Sequence, residues 1–165
     1  MSYKSTQLLT TTLNIEQNKI TGNINQLILN NIKKRYEGVC NKDGYIEKGS
    51  IKLVNRSIGK LNLIDNKSII LYNITYEANI ISPSDGLILT CIINSNNKMG
   101  LIGYIKNKED DTLEDSPFII IVPREYFKNE DTASSINDGD SIEVEIIKSR
   151  TKYLAKQIQL VAKPV

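Results

Sequence analysis

Residues 68–81 read SIILYNITYEANII, and the next five residues, 82–86, read SPSDG. The first run alternates with a period of two, which is typical of a β-strand with one face in a core. The second run is rich in residues that break strands and form turns. The sequence therefore predicts a long strand that ends at a domain boundary. The two faces of this strand are predicted to carry Ile70, Tyr72, Ile74 and Tyr76 on one side, and Ile69, Leu71 and Asn73 on the other.

The chain before this strand begins with a strand and a helix. Residues 8–15 alternate loosely and are predicted to form the first strand. Asn23 is a helix N-cap residue, Gln26 follows three residues later, and an apolar face continues to Tyr36. Gly38 stands where the helix should end, after three basic residues that complement the helix dipole.

Antiparallel strands are predicted between the helix and the long strand. Residues 41–44, Asn-Lys-Asp-Gly, are a turn signal between two short extended runs. Residues 51–64 form a candidate strand that is interrupted near Ser57-Ile58-Gly59, where a bulge or bend fits. The order strand, helix, antiparallel strands describes an α+β module over residues 1–82.

Residues 83–165 are predicted to be almost entirely β. Turn signals separate five runs, as in a small closed barrel of the OB type. Residues 123–127 begin like a single helical turn, at the point where an OB barrel has a helix or turn between its third and fourth strands. The five predicted strands are residues 87–94, 100–106, 118–122, 141–149 and 153–161.

The charge is unevenly distributed over the 165 residues. The net charge is +2, but residues 1–82 hold 11 Lys/Arg and 6 Asp/Glu, whereas residues 83–165 hold 10 and 13. The acidic excess falls in two polar stretches, 109–115 and 130–140. Two interpretations are open: a mildly basic body with acidic loops that binds a polyanion, or a solvated surface with no partner.

Candidate catalytic and metal-binding residues are scarce. The chain has no His, so imidazole-based triads and metal sites are excluded. Cys40 and Cys91 are far apart and form no CxxC motif, which favours two buried thiols in a reducing compartment. The acidic stretch 109–115 lacks the ligand spacing and central Gly of a calcium loop. We expect a protein that is not an enzyme and has no cofactor and no metal. The alternatives are a divalent ion bound by the acidic stretch, and a hydrolase or transferase that would need a pocket with paired carboxylates.

No stretch resembles a signal peptide or reaches 18 apolar residues, so we expect a soluble intracellular protein with no membrane partner.

Single-stranded RNA is the ligand that the predicted barrel favours. An OB barrel presents aromatic side chains for base stacking and Lys/Arg for phosphates on its second and third strands and the adjoining loops. Each residue also has a structural interpretation, because Tyr is common in barrel packing and Lys blunts sheet edges. The candidate RNA-binding residues are Lys98, Tyr104, Lys106, Arg124, Lys148, Arg150, Lys152 and Tyr153.

Several local strings and their order resemble one family. Residues 31–46, NIKKRYEGVCNKDGYI, resemble the helix end and following hairpin of the seventh subunit of RNA polymerase II and of its archaeal counterpart. Residues 72–83, YNITYEANIISP, resemble the strand that crosses from the tip domain of that family into its barrel. Residues 85–91, DGLILTC, and 138–146, DGDSIEVEI, resemble the first and fourth barrel strands.

The resemblance implies a non-catalytic stalk subunit of a DNA-directed RNA polymerase. Its fold would be an N-terminal truncated RNP-like tip domain over residues 1–82 and a C-terminal S1-like OB barrel over residues 83–165. The tip would dock on the large polymerase subunits near the clamp, and the barrel would lie near the RNA exit path. The implied partners are those large subunits, a fourth-subunit-like helical partner and nascent single-stranded RNA, with roles in initiation and weak RNA binding.

The chain departs from this family at the RNA face. Tyr104 takes the place of the usual aromatic, but Val122-Pro123 stands near the place of a His, and the acidic insertion 107–116 would repel phosphate. The Ile/Asn/Lys bias and the divergence suggest a version from a large DNA virus. A viral factory in the cytoplasm or the virion is then the expected location, with the nucleus as the alternative.

Two glycine-containing loops are the candidates for docking on the polymerase core, because glycine lets two backbones approach closely. Ordinary hairpin turns are the alternative interpretation. The predicted core-docking residues are Lys42, Asp43, Gly44, Tyr45, Ser57, Ile58, Gly59 and Lys60. A free-standing S1/OB single-stranded RNA-binding protein is the alternative to the polymerase stalk assignment.

Overall fold

The computed structural model describes residues 3–165 and has a mixed α+β fold that consists mostly of strands. Contacts divide the chain into two compact units that interleave along the sequence. One unit, here called the helix-and-sheet unit, contains residues 5–37 and 46–80. The other, the barrel unit, contains the described residues up to Lys4 together with residues 38–45 and 81–165. The division into a tip domain over 1–82 and a barrel over 83–165 stays a prediction.

The helix-and-sheet unit is built on one long strand. β1 (Lys4–Glu16) precedes α1 (Ile24–Tyr36), and β6 (Lys67–Ile81) is the central strand of the sheet. β4 (Lys52–Arg56) and β5 (Lys60–Ile64) both pair with β6 in antiparallel fashion. The predicted interruption at residues 57–59 is confirmed, because it separates β4 from β5.

The predicted helix is confirmed, but its N-terminal cap differs in detail. The Asn23 side chain accepts a hydrogen bond from the backbone N–H of Asn25. Gln26 does not complete a capping box, because its side-chain amide donates to Asn30 instead. Gly38 follows the helix with φ of 73°, a left-handed conformation in which glycine is favoured.

One face of β6 forms the core of this unit, as the alternation predicts. Tyr72, Ile74 and Tyr76 are buried with Ile28 and Ile32 of α1. The rings of Tyr36 and Tyr76 stack with centroids 5.8 Å apart. Burying one aliphatic side chain contributes about 1.5–3 kcal/mol. The packing of Ile28 and Ile32 against this face therefore stabilises the unit.

The barrel unit contains a closed five-stranded barrel. Its strands are β7 (Ile88–Asn97), β8 (Gly100–Tyr104), β9 (Phe118–Pro123), β10 (Ser141–Arg150) and β11 (Ile158–Pro164). The order around the barrel is β10-β11-β9-β8-β7, and β10 closes it by pairing with β7. β9 and β11 are parallel, and the other pairs are antiparallel. The prediction of an α+β chain with a closed OB-like barrel is confirmed.

The connection between the third and fourth barrel strands contains a 3-10 turn over Arg124–Tyr126 and the short helix α2 (Glu130–Ser134). The predicted helical turn after Pro123 is therefore present as a 3-10 turn. The fifth strand was predicted to start at Tyr153, and this is wrong by five residues. Leu154 has φ of 64°, and its backbone N–H donates to the carbonyl of Cys40, so residues 153–157 form a turn.

The barrel core also includes residues from the short hairpin after α1. β2 (Cys40–Asn41) pairs with β3 (Gly44–Ile46), and Cys40 lies opposite Tyr45. Both side chains are buried in the same cluster as Phe118. The N–H of Cys40 also donates to the carbonyl of Ala155 at 2.7 Å. This hairpin therefore belongs to the barrel by its contacts, although it precedes the long strand in sequence.

Candidate docking surface and nucleic-acid interface

The first predicted docking loop, residues 42–45, is only half available to a partner. Lys42 and Asp43 are exposed, but Gly44 and Tyr45 are buried. The side-chain oxygen of Asn41 accepts hydrogen bonds from the N–H groups of Asp43 and Gly44, at 2.8 and 3.0 Å, and closes the turn. Tyr45 therefore contributes to packing, and Lys42 and Asp43 are the two side chains that this loop can offer.

The second predicted docking loop, residues 57–60, presents an apolar side chain to solvent. The Ile58 side chain is 91% exposed. Two hydrogen bonds fix the loop against β6: the N–H of Ser57 donates to the carbonyl of Asn73 at 2.8 Å, and the N–H of Asn73 donates to Ser57 Oγ at 2.9 Å. Because the backbone is held in this way, the exposure of Ile58 is a property of the fold.

Exposed apolar side chains that were not predicted from the sequence continue from this loop into β5. Leu61 and Leu63 are 62% and 72% exposed, and Ile64 is 40% exposed. On the other side of the loop, Val54 in β4 is 52% exposed. We call Ile58, Leu61 and Leu63 the exposed hairpin cluster. The sequence feature that could have predicted this exposure is the group of large aliphatic residues in 58–64, IGKLNLI. A segment this short rarely has both of its faces covered.

The sheet face opposite α1 is open and mostly polar. Thr12 Oγ1 donates to the Asn73 side chain at 3.3 Å, and Thr6 donates to Asn79 at 2.9 Å. Thr10 and Thr75 line the same groove as Thr12 and Asn73. Stacking of bases on a sheet requires aromatic side chains. The residues of β1 and β6 that point into this groove are Thr and Asn rather than aromatic residues, so the groove is poorly suited to stacking of bases.

The outer surface of the barrel carries a row of aliphatic side chains where an OB barrel binds its ligand. Ile102 of β8 lies opposite Ile121 of β9, which lies opposite Val161 of β11. Ile121 is 38% exposed. Lys148 of β10 pairs with Val161 and extends the row. The row is therefore aliphatic with a basic end, and the stacking platforms of an RNA-binding barrel are missing from it.

Tyr104, the predicted stacking residue, is 8% exposed. It ends β8 and lies opposite Ile92 of β7. A ring with so little accessible surface offers almost no face to a base. The structure therefore brings Tyr104 to the expected strand but gives it the surroundings of a packing residue. Lys98, in the β7–β8 turn, and Lys106, just after β8, are exposed near opposite ends of that strand.

Arg124 is held by hydrogen bonds within the barrel unit. Its guanidinium donates to the carbonyl of Asn97 at 2.8 Å, to Asn96 Oδ1 at 2.9 Å and to Ser134 Oγ at 3.2 Å. These bonds join the end of β7 to α2. A guanidinium has five N–H donors in a fixed fork, so most of its hydrogen-bonding capacity serves the fold. Arg124 acts here as a structural tie.

The remaining predicted RNA-binding residues lie together around the β10–β11 connection. Lys148, Arg150 and Lys152 are exposed, and Tyr153 is 67% exposed. Arg150 pairs with Gln159, and with Lys152 it borders a small cleft of about 100 Å³. We call Lys148, Arg150 and Lys152 the basic hairpin cluster. It brings together three of the exposed basic residues of the predicted RNA site, and Lys98 and Lys106 are exposed elsewhere on the barrel unit.

The acidic insertion is an ordered loop attached to this connection. Asp111 Oδ2 accepts hydrogen bonds from the N–H groups of Asn107 and Lys108, both at 2.9 Å. The Gln157 side-chain amide donates to the carbonyls of Leu113 and Ser116. The loop is therefore tied to the residues that lead into β11. Its five carboxylates, at residues 109–111, 114 and 115, therefore belong to a loop that is hydrogen-bonded to the segment after the basic hairpin cluster.

In the described part of the chain, shifted pKa values are found at two thiols and one carboxylate. Burial raises the pKa of the Cys40 thiol and of the Cys91 thiol to about 11, so both are protonated at neutral pH. The pKa of Glu16 is lowered by its hydrogen bond to Lys67 and by the charge of Lys19. Among residues 3–165, no group of three or more His, Cys, Asp or Glu is placed to hold a metal ion.

The fold defines the chain as an α+β protein with a closed OB-like barrel. No protein-family model matches the chain, and no curated protein matches it. None of the helices that the structure describes has both the length and the hydropathy to cross a membrane.

Proposed function

We propose that this protein is a non-catalytic stalk subunit of a DNA-directed RNA polymerase. In this proposal, the helix-and-sheet unit is the core of a truncated RNP-like tip that docks on the large polymerase subunits near the clamp. The barrel is an S1-like OB domain near the RNA exit path. The order of a strand, a helix, antiparallel strands and then an OB-like barrel supports the assignment, together with the sequence resemblance at residues 31–46 and 72–83.

The exposed hairpin cluster is the observation that carries the docking role. Ile58, Leu61 and Leu63 are 91%, 62% and 72% exposed and lie within six residues of one another. Each such side chain left in water forgoes about 1.5–3 kcal/mol of burial free energy. Leu61 and Leu63 lie on one face of β5, opposite Ile70 and Ser68, and large exposed apolar side chains grouped in this way are typical of an interaction surface. The cluster overlaps the loop that the sequence analysis assigned to docking.

The other partners follow from the same proposal. A fourth-subunit-like helical protein would complete the stalk, and nascent single-stranded RNA would contact the basic hairpin cluster weakly. The chain would contribute to initiation through its position beside the clamp. A large DNA virus is the proposed source, with transcription in a cytoplasmic viral factory.

Affinity purification tests this function directly. The chain carries a C-terminal tag and is expressed in its own source, and the captured proteins are identified by mass spectrometry. The proposal predicts that the two large polymerase subunits are the main captured proteins. Capture of ribosomal or RNA-decay proteins in their place would contradict it.

A free-standing single-stranded RNA-binding protein is the second candidate, and the exposure of Lys148 and Arg150 favours it. It predicts salt-sensitive binding of RNA by the whole chain, since each released counterion adds to the slope of log K against log salt. Replacement of Tyr104 and Arg150 should abolish that binding. The buried ring of Tyr104 and the hydrogen bonds of Arg124 make this candidate the weaker one.

A further inference from the structure

Among residues 3–165, β5 has a paired strand on one side only. Its five residues pair with β6, from Lys60 opposite Leu71 to Ile64 opposite Lys67. In the described sheet, β6 is the strand that β5 pairs with, and the other side of β5 has no assigned pairing. An edge of this kind carries a row of backbone N–H and C=O groups that can pair with another chain.

The hairpin turn determines which backbone groups lie on that edge. Asp65 and Asn66 form a two-residue loop with φ of 50° and 63°, the left-handed pair of a type I′ turn. In such a hairpin the flanking pair, Ile64 and Lys67, exchanges both backbone hydrogen bonds, and bonded and non-bonded pairs then alternate. The N–H and C=O groups of Leu61 and Leu63 therefore point away from β6.

The same two residues carry the exposed apolar side chains. Leu61 lies opposite Ile70 on the face that continues the core face of β6, yet it is 62% exposed, and Leu63 is 72% exposed. Natural edge strands are protected by proline, by inward-pointing charges or by bulges. Lys60 at the start of this five-residue strand is its one charged side chain, and the residues between Lys60 and the turn, Leu-Asn-Leu-Ile, include no charge and no proline. Leu61 and Leu63 therefore each combine unpaired backbone groups on the strand edge with an exposed apolar side chain.

The net charge of the whole helix-and-sheet unit indicates the chemistry of the partner that would pair with β5. The helix-and-sheet unit, residues 5–37 and 46–80, contains nine Lys/Arg and five Asp/Glu. Lys60 at the start of β5 is exposed, and Lys67 after its turn is exposed as well but lies 3.4 Å from the carboxylate of Glu16. Two copies of this unit would repel each other, whereas an acidic segment would be attracted.

We propose that β5 is completed by an extended, acidic segment of the polymerase core, which adds as a strand beside Leu61 and Leu63. Backbone hydrogen bonds would supply the register, and apolar side chains at alternate positions of the added strand would cover the exposed hairpin cluster. This inference rests on the proposed function, since it specifies the partner and the geometry of that docking site.

The test uses the tagged full-length chain, capture of polymerase core as the readout, and four variants. Leu61→Thr and Leu63→Thr remove an apolar side chain and keep the backbone N–H. Leu63→Pro also removes the N–H that faces the open edge. Leu8→Thr is the matched control, because Leu8 is 65% exposed on β1, a strand distant in sequence from the hairpin. Circular dichroism melting of each variant verifies that it is folded.

We expect Leu8→Thr to capture the core as the wild type does, and Leu63→Thr to capture about threefold less, from the loss of part of one side-chain contact. Leu63→Pro should lose a further factor of about five, because one backbone hydrogen bond is removed as well. Equal capture by Leu63→Pro and Leu63→Thr would overturn strand addition. Wild-type capture that none of the variants weakens would overturn the site while leaving the stalk function intact.

Light scattering of the purified chain after size exclusion addresses the alternative occupant. A monomer is expected at micromolar concentration. A dimer that Leu63→Pro dissociates would assign the edge to a second copy and overturn the proposal. Failure of the wild type to capture any polymerase would contradict the proposed function itself, and this inference with it.

Discussion

Gly59 is packed so closely against Ile70 that a Cβ atom at Gly59 would lie 2.6 Å from Ile70 Cγ2. The same Cβ would lie 3.0 Å from Cε1 of Tyr72. Both neighbours belong to β6, so the absence of a side chain at Gly59 lets the loop between β4 and β5 approach the central strand. This contact sets the position from which Ile58 projects into solvent.

Replacement of Gly59 by Ala should therefore destabilise the chain. Overpacking of this kind costs about 1–3 kcal/mol, and we expect Gly59→Ala to lower the free energy of unfolding by an amount in that range. Urea titration followed by circular dichroism measures it. Ile58→Ala, one residue away, is the control and should change the free energy by less than about 0.5 kcal/mol, because the side chain is exposed. Similar effects of the two changes would contradict the packing described here.

Arg124 should matter for stability more than for RNA binding. Arg124→Ala removes hydrogen bonds to Asn97, Asn96 and Ser134, and we expect a loss of about 1–2 kcal/mol in the free energy of unfolding. Urea titration measures this loss, with Lys128→Ala as an exposed control. Fluorescence anisotropy with a single-stranded RNA should show a smaller change in affinity for Arg124→Ala than for Arg150→Ala. A larger loss of RNA affinity for Arg124→Ala than for Arg150→Ala would assign Arg124 to the RNA interface.

The basic hairpin cluster should account for most of the RNA affinity that the barrel has. Lys148→Ala combined with Arg150→Ala removes two accessible positive charges, and each phosphate contact contributes about 0.7 to the slope of log K against log salt for a single strand. We expect the double variant to lower that slope by about 1.4 and to weaken binding at low salt. Lys98→Ala serves as the control, because Lys98 is an exposed lysine in the β7–β8 turn and is not part of the basic hairpin cluster. An unchanged slope in the double variant would refute the assignment.

Both thiols should be inert in the folded protein and should reduce its stability only at alkaline pH. Burial raises the pKa of Cys40 and of Cys91 from 9.0 to about 11. Because the folded state holds these protons more tightly than the unfolded state, their contribution is complete below pH 9 and is lost as the pH rises through 11. The free energy of unfolding, measured by urea titration at pH 8 and at pH 10.5, should fall less in Cys91→Ala than in the wild type.

Thiol labelling checks the same burial independently. Ellman's reagent at pH 8 should modify neither thiol at a measurable rate in the native chain and both in urea. Rapid modification of the native protein would contradict the buried positions of Cys40 and Cys91.

The strand pattern and the helix ends were predictable from local sequence. The alternation of residues 68–81 identified the buried face of β6, and Asn23 and Gly38 marked the ends of α1, because these signals depend only on neighbouring residues. The start of β11 was not predictable, because the turn at Leu154 depends on a hydrogen bond to Cys40, more than a hundred residues earlier.

The candidate sites were predictable only in part, for the same reason. The sequence indicated that Lys148 and Arg150 lie on a hairpin, and both are exposed. It could not indicate that Tyr104 is buried or that Arg124 is tied to Asn96, since both facts depend on residues from other strands. The exposure of Leu61 and Leu63 was equally hidden, because a pattern of aliphatics does not reveal which of them lie beyond the reach of the covering helix.

The central claim, a polymerase stalk subunit, is tested most directly by co-sedimentation. The purified chain is mixed with RNA polymerase core from the same source that lacks this chain, and the mixture is separated on a glycerol gradient. We predict that the chain moves with the large subunits in a one-to-one ratio and that Leu63→Pro shifts most of it back to the top of the gradient. A wild-type chain that stays at the top at micromolar concentration would contradict the claim.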